Sequence, residues 1–118
     1  MAWTLEFAAG AEDDFARIFY HLARSYVGFG EEPAEALNHA AHRVRQIRHD
    51  ADRLLIAPHR GQMQDDLFDG CRTLSFGQAS FWFTVNDATS TVTVLAVFFG
   101  GQDARRTMLL RALRGDTP

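Results

Sequence analysis

The chain has 118 residues, of which 47% are hydrophobic and 12% aromatic, and its formal net charge is −3 at neutral pH. This length suits one domain with one core, spanning residues 1–118, and the composition excludes a disordered chain. No apolar run approaches the roughly 20 residues of a membrane span, and the start lacks a signal-peptide pattern, so we expect a cytoplasmic protein. The acidic balance argues against direct nucleic-acid binding by the chain alone.

The chain begins with a pattern that predicts a short strand and then a helix. Residues 3–7 alternate apolar and polar side chains, as a half-buried strand does. Carboxylates follow where the positive end of a helix favours them, and we interpret these as helix-start charges rather than as an acidic catalytic cluster. The carboxylates are Glu12, Asp13 and Asp14, and the apolar residues that recur behind them are Phe15, Ile18, Phe19, Leu22 and Tyr26.

A second helix is predicted from Pro33, which fits a first helical turn because its missing N–H costs nothing there. An apolar stripe at steps of three and four favours packing against the first helix, so the two helices should form a hairpin. The stripe consists of Leu37, Ala40, Val44, Ile47, Ala51 and Leu54.

Histidines on the second helix raise the question of a metal site. Zinc needs three or four converging ligands, and neighbouring arginines would repel a cation, so we expect no metal and no cofactor. The histidines are His39, His42 and His49, and the arginines, which we interpret mainly as a solvated face, are Arg43, Arg45, Arg48 and Arg53.

The loop after the second helix is broken by Pro58 and Gly61 and carries His59 and Arg60 at its tip. Because exposed loops often carry functional residues, this pair is a candidate site.

Residues 67–101 are the most strand-prone part of the chain and predict a meander of three strands. The last strand, Thr91 to Phe99, becomes apolar on both faces, so it should be central or covered on two sides. Strand parity sets Phe81, Phe83 and Val85 opposite Ser80, Trp82 and Thr84 in the second strand, and Leu74 and Phe76 opposite Thr73 and Ser75 in the first, which runs from Gly70 to Phe76. The turns are Gly77-Gln78-Ala79 and residues 86–90.

Two residues at the start of the meander are candidates with a structural alternative. Cys71 cannot form an internal disulfide, and we interpret it as a small buried residue rather than a nucleophile. Arg72 shares a face with Leu74 and Phe76, so it either pairs at the end of the sheet with a helix carboxylate such as Glu35 or Asp50, or it is functional.

Asp103 can cap a final helix that carries the most concentrated positive charge of the chain. Its apolar residues are Met108, Leu109, Ala112 and Leu113, and its arginines are Arg105, Arg106, Arg111 and Arg114.

This order, β-α-α-β-β-β-α, resembles the RelE/ParE superfamily of toxins from bacterial toxin–antitoxin (plasmid stabilisation) systems. The resemblance implies an α+β fold in which a helical hairpin packs on a mainly antiparallel twisted sheet. The resemblance rests first on the strand followed by an acidic helix start, and on Pro58 and Gly61 in the loop after the second helix. Gly70-Cys71-Arg72 matches the Gly-x-Arg of the family. Phe81-Trp82-Phe83 matches its aromatic strand, and Val94-Leu95-Ala96-Val97 matches its last strand.

The sequence departs from the family where the last strand of many members runs into a His-x-x-Arg-Asp-like sequence. Here Phe99 replaces the histidine and Gln102 the arginine. RelE-like members cut messenger RNA on the ribosome, which requires a base for the ribose hydroxyl, cations for the phosphorane and an acid for the leaving oxygen. Of these parts, only Arg72 stands at a matching position, with His59 and Arg60 as substitutes.

Three hypotheses follow from the resemblance. The first is a ParE-like toxin of a type II system, associated with stress responses, that binds a protein target, by resemblance DNA gyrase, and is neutralised by a cognate antitoxin. The second is a RelE-like ribosome-dependent endoribonuclease that uses Arg72, His59 and Arg60. The third is a degenerate member that only binds antitoxin. Partner contacts are expected at the helix-hairpin edges and at Trp82, Arg72, Arg105 and Arg106, since strand parity leaves Trp82 with only the final helix or a partner to cover it.

Overall fold

The computed structural model describes residues 2–100 and 103–115, and it has the predicted order of helices and strands with two short additions. The predicted elements are β1 (Thr4–Phe7), α1 (Ala9–Gly28), α2 (Pro33–Asp50), β3 (Arg72–Phe76), β4 (Ala79–Asn86), β5 (Thr91–Phe99) and α3 (Ala104–Leu113). The additions are a 3-10 helix (Ala51–Leu55), which continues α2, and a two-residue strand β2 (Gln62–Met63) within the predicted loop.

The strands form one mixed sheet in the order β1-β5-β4-β3-β2. β1 runs parallel to β5, with Phe7 opposite Val94, and the other pairs are antiparallel. The prediction of a central last strand is confirmed, because β5 lies between β1 and β4. The first hairpin turn is shorter than predicted, since Ala79 already pairs with Phe76 and only Gly77 and Gln78 connect the strands.

The helical hairpin of α1 and α2 covers one face of the sheet, as predicted. Strand parity places Phe81 and Phe83 on this face, and both are buried in the main core. Burial of such large side chains contributes about 1.5–3 kcal/mol each. The core also includes Phe15, Ile18, Leu22, Ile47, Leu54, Val92, Val94 and Val97.

The opposite face is covered in part by α3 and by residues 64–70. Here Trp82 and Phe98 meet edge to face, and Met108 of α3 is buried beside them in a second, smaller core. Asp103 caps α3 as predicted, because its Oδ1 accepts a hydrogen bond from the backbone N–H of Arg106 at 3.1 Å. The α3 stripe is only partly buried, since Leu109 and Leu113 are exposed.

A buried carboxylate joins both layers of the fold. Asp14 of α1 accepts hydrogen bonds from the backbone N–H of Val97 at 3.0 Å and from the Arg111 Nη2 of α3 at 2.6 Å. Its interpretation as a helix-start charge was therefore wrong: Asp14 lies on the inner face of α1 and is 3% exposed. Among the residues described, no helix is both long and apolar enough to cross a membrane.

Candidate functional site

Arg72 opens β3 at the end of the sheet nearest the loop of residues 56–61. Its Nη1 donates to the backbone carbonyl of His59 at 2.8 Å, so the arginine fastens this loop to the sheet. The expected pairing with Glu35 or Asp50 is not found, because this carbonyl, not a helix carboxylate, lies within reach of the guanidinium.

His59 lies at the same end of the sheet, where its imidazole contacts the turn between β4 and β5. Its Nε2 lies 2.7 Å from Asp87 Oδ1, and the ring of Trp3 meets the imidazole edge to face at 5.8 Å between centroids. Both side chains of this contact are more than half exposed. A carboxylate in this position orients a histidine ring, which is one element of a general base.

Arg60 extends toward the other end of β3. Its Nη2 donates to the Arg53 carbonyl at 2.7 Å and its Nε to the Ala57 carbonyl at 3.1 Å. The guanidiniums of Arg53 and Arg60 both lie over the ring of Phe76, at 4.2 and 5.8 Å from its centroid. The two cations make no ion pair with a carboxylate of the described chain.

The loop therefore brings the three predicted residues close in the fold but gives their side chains three different neighbours. The imidazole of His59 is held by Asp87, the guanidinium of Arg72 by a backbone carbonyl, and that of Arg60 by the 3-10 helix and Phe76. Sequence reasoning missed Asp87 and Trp3, and it assigned Arg53 to a solvated helix face. No sequence pattern indicates that they meet, because they come from a turn, a strand start and a helix end that are distant in the chain.

The predicted partner contacts on the α3 side differ in how accessible they are. Trp82 is 4% exposed, and of the two alternatives for its cover, the final helix or a partner, the structure shows the helix, α3. Arg105 donates hydrogen bonds to Asp66 and to Gln64. The bond to Asp66 lowers the pKa of that carboxyl below its usual value. The side chain of Arg106 is exposed and makes no contact of this kind among residues 2–100 and 103–115.

Solved structures with a similar fold include toxins of bacterial toxin–antitoxin systems. One belongs to the chromosomal ParDE TA system from P. aeruginosa, with a TM-score of 0.60, 20% identity, and coverage of 83% of this chain and 96% of that one. Another is an arginine-to-alanine double mutant of the E. coli toxin RelE in the free state, with a TM-score of 0.58 and 12% identity. The match covers 99% of this chain and 100% of that one. A chain of the toxin–antitoxin complex RelBE2 from Mycobacterium tuberculosis matches with a TM-score of 0.50 and 17% sequence identity. The match covers 84% of this chain and 99% of that one.

The chain has the RelE/ParE toxin fold. No family model matches its sequence and no curated protein matches it significantly, so the fold is visible in the structure and not in overall sequence similarity. Within the RelE/ParE fold of this chain, Phe99 ends β5 and packs against the main core, with the Arg43 guanidinium 5.5 Å from its ring centroid. Gln102, the second departure from the family pattern, lies outside the described residues.

The hairpin of this RelE/ParE fold carries an apolar groove on its outer surface. The groove has a volume of about 340 Å³ and lies between the C-terminal half of α1 and the start of α2. Leu37, expected in the packed stripe, is 47% exposed here because that stripe becomes buried only farther along α2. The lining residues are Tyr20, Ala23, Arg24, Val27, Pro33 and Leu37.

Two of the histidines on α2 of the RelE/ParE fold are engaged separately. His39 stacks on Tyr26 and its Nδ1 lies 3.0 Å from Glu31, while His49 lies 3.4 Å from Asp52. The described part of the chain contains no group of three or more side chains placed to hold a metal ion.

Cys71 is fully buried in the second core of the RelE/ParE fold, and burial raises the pKa of its thiol to about 11. The thiol therefore stays protonated at neutral pH and is a poor nucleophile.

Burial of this thiol predicts a pH dependence of stability. The folded thiol retains its proton up to about pH 11, whereas its ordinary pKa is 9.0. The contribution of the thiol to the free energy of unfolding is fully present below pH 9 and is lost as the pH rises toward 11, because only the unfolded chain releases a proton in that window. Urea unfolding should show wild type losing more stability over this range than Cys71→Ala. Parallel losses in the two proteins would contradict the assignment.

Proposed function

We propose that this chain is the toxin of a type II toxin–antitoxin pair, that it acts by binding a protein target, and that a cognate antitoxin holds it inactive. The RelE/ParE fold supports the toxin assignment, and the similar solved structures include toxin–antitoxin complexes. DNA gyrase is the target we propose, by the resemblance to ParE.

The observation that carries the binding mechanism is the separation of the candidate catalytic groups. Cleavage of RNA requires a base, cations and an acid gathered around one phosphate. Here the side chains of His59, Arg60 and Arg72 are each held by a different neighbour. A net charge of −3 also gives little attraction for a polyanion.

The second candidate function is a ribosome-dependent endoribonuclease, and the hydrogen bond between His59 and Asp87 specifically favours it. An exposed imidazole oriented by a carboxylate could accept the proton of a ribose hydroxyl. The guanidiniums of Arg53 and Arg60, which make no ion pair with the described residues, lie near the same loop. Under this alternative, overproduction would leave cleaved transcripts, and His59→Gln or Arg72→Ala would remove the cleavage. Intact transcripts in cells overproducing the wild type would exclude it.

We propose the hairpin groove as the docking site for an amphipathic helix of the antitoxin. Apolar groups dominate its lining, as in other grooves that receive one face of a helix. Arg24 lies in this lining and makes no ion pair with the described residues, so an acidic residue beside the apolar face of the antitoxin helix would complement it.

A charge placed in this groove should weaken antitoxin binding. Leu37→Glu replaces an apolar contact with a carboxylate, which would also repel the acidic residue proposed to pair with Arg24, so we expect a loss of at least about tenfold in affinity. Calorimetric titration of the purified toxin with antitoxin measures this change. Ile56→Glu is the matched control, because Ile56 is exposed outside the groove. Equal losses in both variants, or none in Leu37→Glu, would exclude the groove.

The proposed function as a whole is tested by induced expression in bacteria. We expect growth arrest, relief on co-expression of the antitoxin, and co-purification of the target with the toxin in the absence of antitoxin. Loss of plasmid supercoiling before loss of translation would identify gyrase. Harmless overproduction with antitoxin binding retained would instead show a degenerate member that only binds antitoxin.

A further inference from the structure

The face of the sheet turned away from the helical hairpin has an open half that α3 does not cover. Thr84 of β4 pairs with Thr93 of β5, and Thr93 lies opposite Glu6 of β1. Because Leu5 and Phe7 point into the main core, Glu6 points to this open side. A groove of about 360 Å³ lies here, lined by Phe68, Asp69, Thr84, Thr93 and Leu95.

The carboxylates around this groove differ from the other acids of the neighbouring loop. Asp65 accepts a hydrogen bond from the Gly70 N–H at 2.9 Å, and Asp66 pairs with Arg105. Asp69 and Glu6 are exposed, and neither side-chain carboxylate makes a hydrogen bond or ion pair with the described residues. The groove therefore presents negative charge that no cation of the described chain neutralises.

The groups that line the groove match one kind of side chain. Asp69 can accept two hydrogen bonds, the hydroxyls of Thr84 and Thr93 add further acceptors, and Phe68 supplies an aromatic surface. A guanidinium offers planar donors in a fork and stacks on aromatic rings. A divalent cation would find too few carboxylate and carbonyl oxygens here, and a phosphate would be repelled.

We infer that this open-sheet groove binds an arginine side chain carried on a segment of the protein partner. The inference rests on the proposed function for the identity of that partner, the antitoxin. Its chemical basis is independent, because it follows from the unpaired carboxylates, the hydroxyls and the ring beside them. The groove is separate from the hairpin groove, so one antitoxin chain would contact both faces of the toxin.

The experiment is a titration of the full-length, isotope-labelled protein with a short peptide that has blocked ends and one central arginine. The matched probe is the same peptide with citrulline, which has a similar shape but no charge. Amide chemical shifts of the labelled protein report where the peptide binds. The test variant is Asp69→Asn. The control variant is Asp13→Asn, which makes the same change of charge on the exposed surface of α1.

We expect saturable shifts confined to the groove lining, and binding at least about tenfold weaker for citrulline and for Asp69→Asn, since a hydrogen bond to a charged group is lost. Asp13→Asn should bind like wild type. Shifts spread over all acidic surfaces, equal binding of the citrulline peptide, or no saturation at millimolar peptide would overturn the inference. Such a failure leaves growth arrest and antitoxin binding unaffected, so it is distinct from a failure of the proposed function.

Discussion

Replacement of Asp14 by alanine is expected to lower the free energy of unfolding by about 3–5 kcal/mol, a large part of the stability of a small domain. The change removes the acceptor of the Val97 N–H and of both Nη atoms of Arg111. Arg111 would keep its charge in a site where its side chain is only 11% exposed. Chemical denaturation with two spectroscopic probes measures the loss.

The control for this experiment is the adjacent carboxylate, Asp13, which is exposed on the same helical turn. Asp13→Ala should change stability by no more than about 0.5 kcal/mol, as surface substitutions usually do. If Asp14→Ala were as mild as Asp13→Ala, the buried ion pair would not be the link between α1, β5 and α3 that the structure indicates.

Gly61→Ala is the second substitution with a large expected effect. Gly61 has φ of +98°, and a Cβ built there would lie 2.5 Å from the backbone carbonyl oxygen of Thr73. Neither the conformation nor the strand can adjust cheaply, so we expect a loss of about 3 kcal/mol or more. The loop would also move away from β3, which would break the hydrogen bond from Arg72 to His59.

Gly70→Ala separates the effect of the positive φ from that of the contact with Thr73. Gly70 also has a positive φ, +71°, but there is open space where its Cβ would lie. We expect this variant to lose only the free energy needed to hold a residue with a Cβ at positive φ, about 1–2 kcal/mol. Thermal unfolding of both variants gives the comparison. Equal losses would show that the contact with Thr73 contributes nothing and that the loop tolerates displacement from the sheet.

Most of the fold could be predicted because its elements carry periodic patterns. Alternation in β4 correctly placed Phe81 and Phe83 on one face and Trp82 on the other, and the doubly apolar β5 proved central. Asp103 was correctly identified as a helix cap from its position before the apolar and basic residues of α3. The two-residue strand β2 was missed, because so short an edge strand has no periodicity to detect.

The side-chain contacts of the candidate site could not be predicted, because they join residues distant in the chain. Asp14 looked like one of three helix-start charges, and its partner Arg111 follows 97 positions later. A signal was present, since Asp14 shares the buried face of α1 with Ile18. The coverage of Trp82 likewise depends on how closely α3 docks, which helical spacing alone does not determine.

Under the proposed function, this chain binds a protein target and does not cut RNA. The most direct test is primer extension on messenger RNA in a purified translation system, with programmed ribosomes and the full-length protein added. We expect the transcript to remain intact at protein concentrations that arrest growth in cells. Cleavage at defined codon positions that is lost in His59→Gln, with the variant still folded, would contradict it.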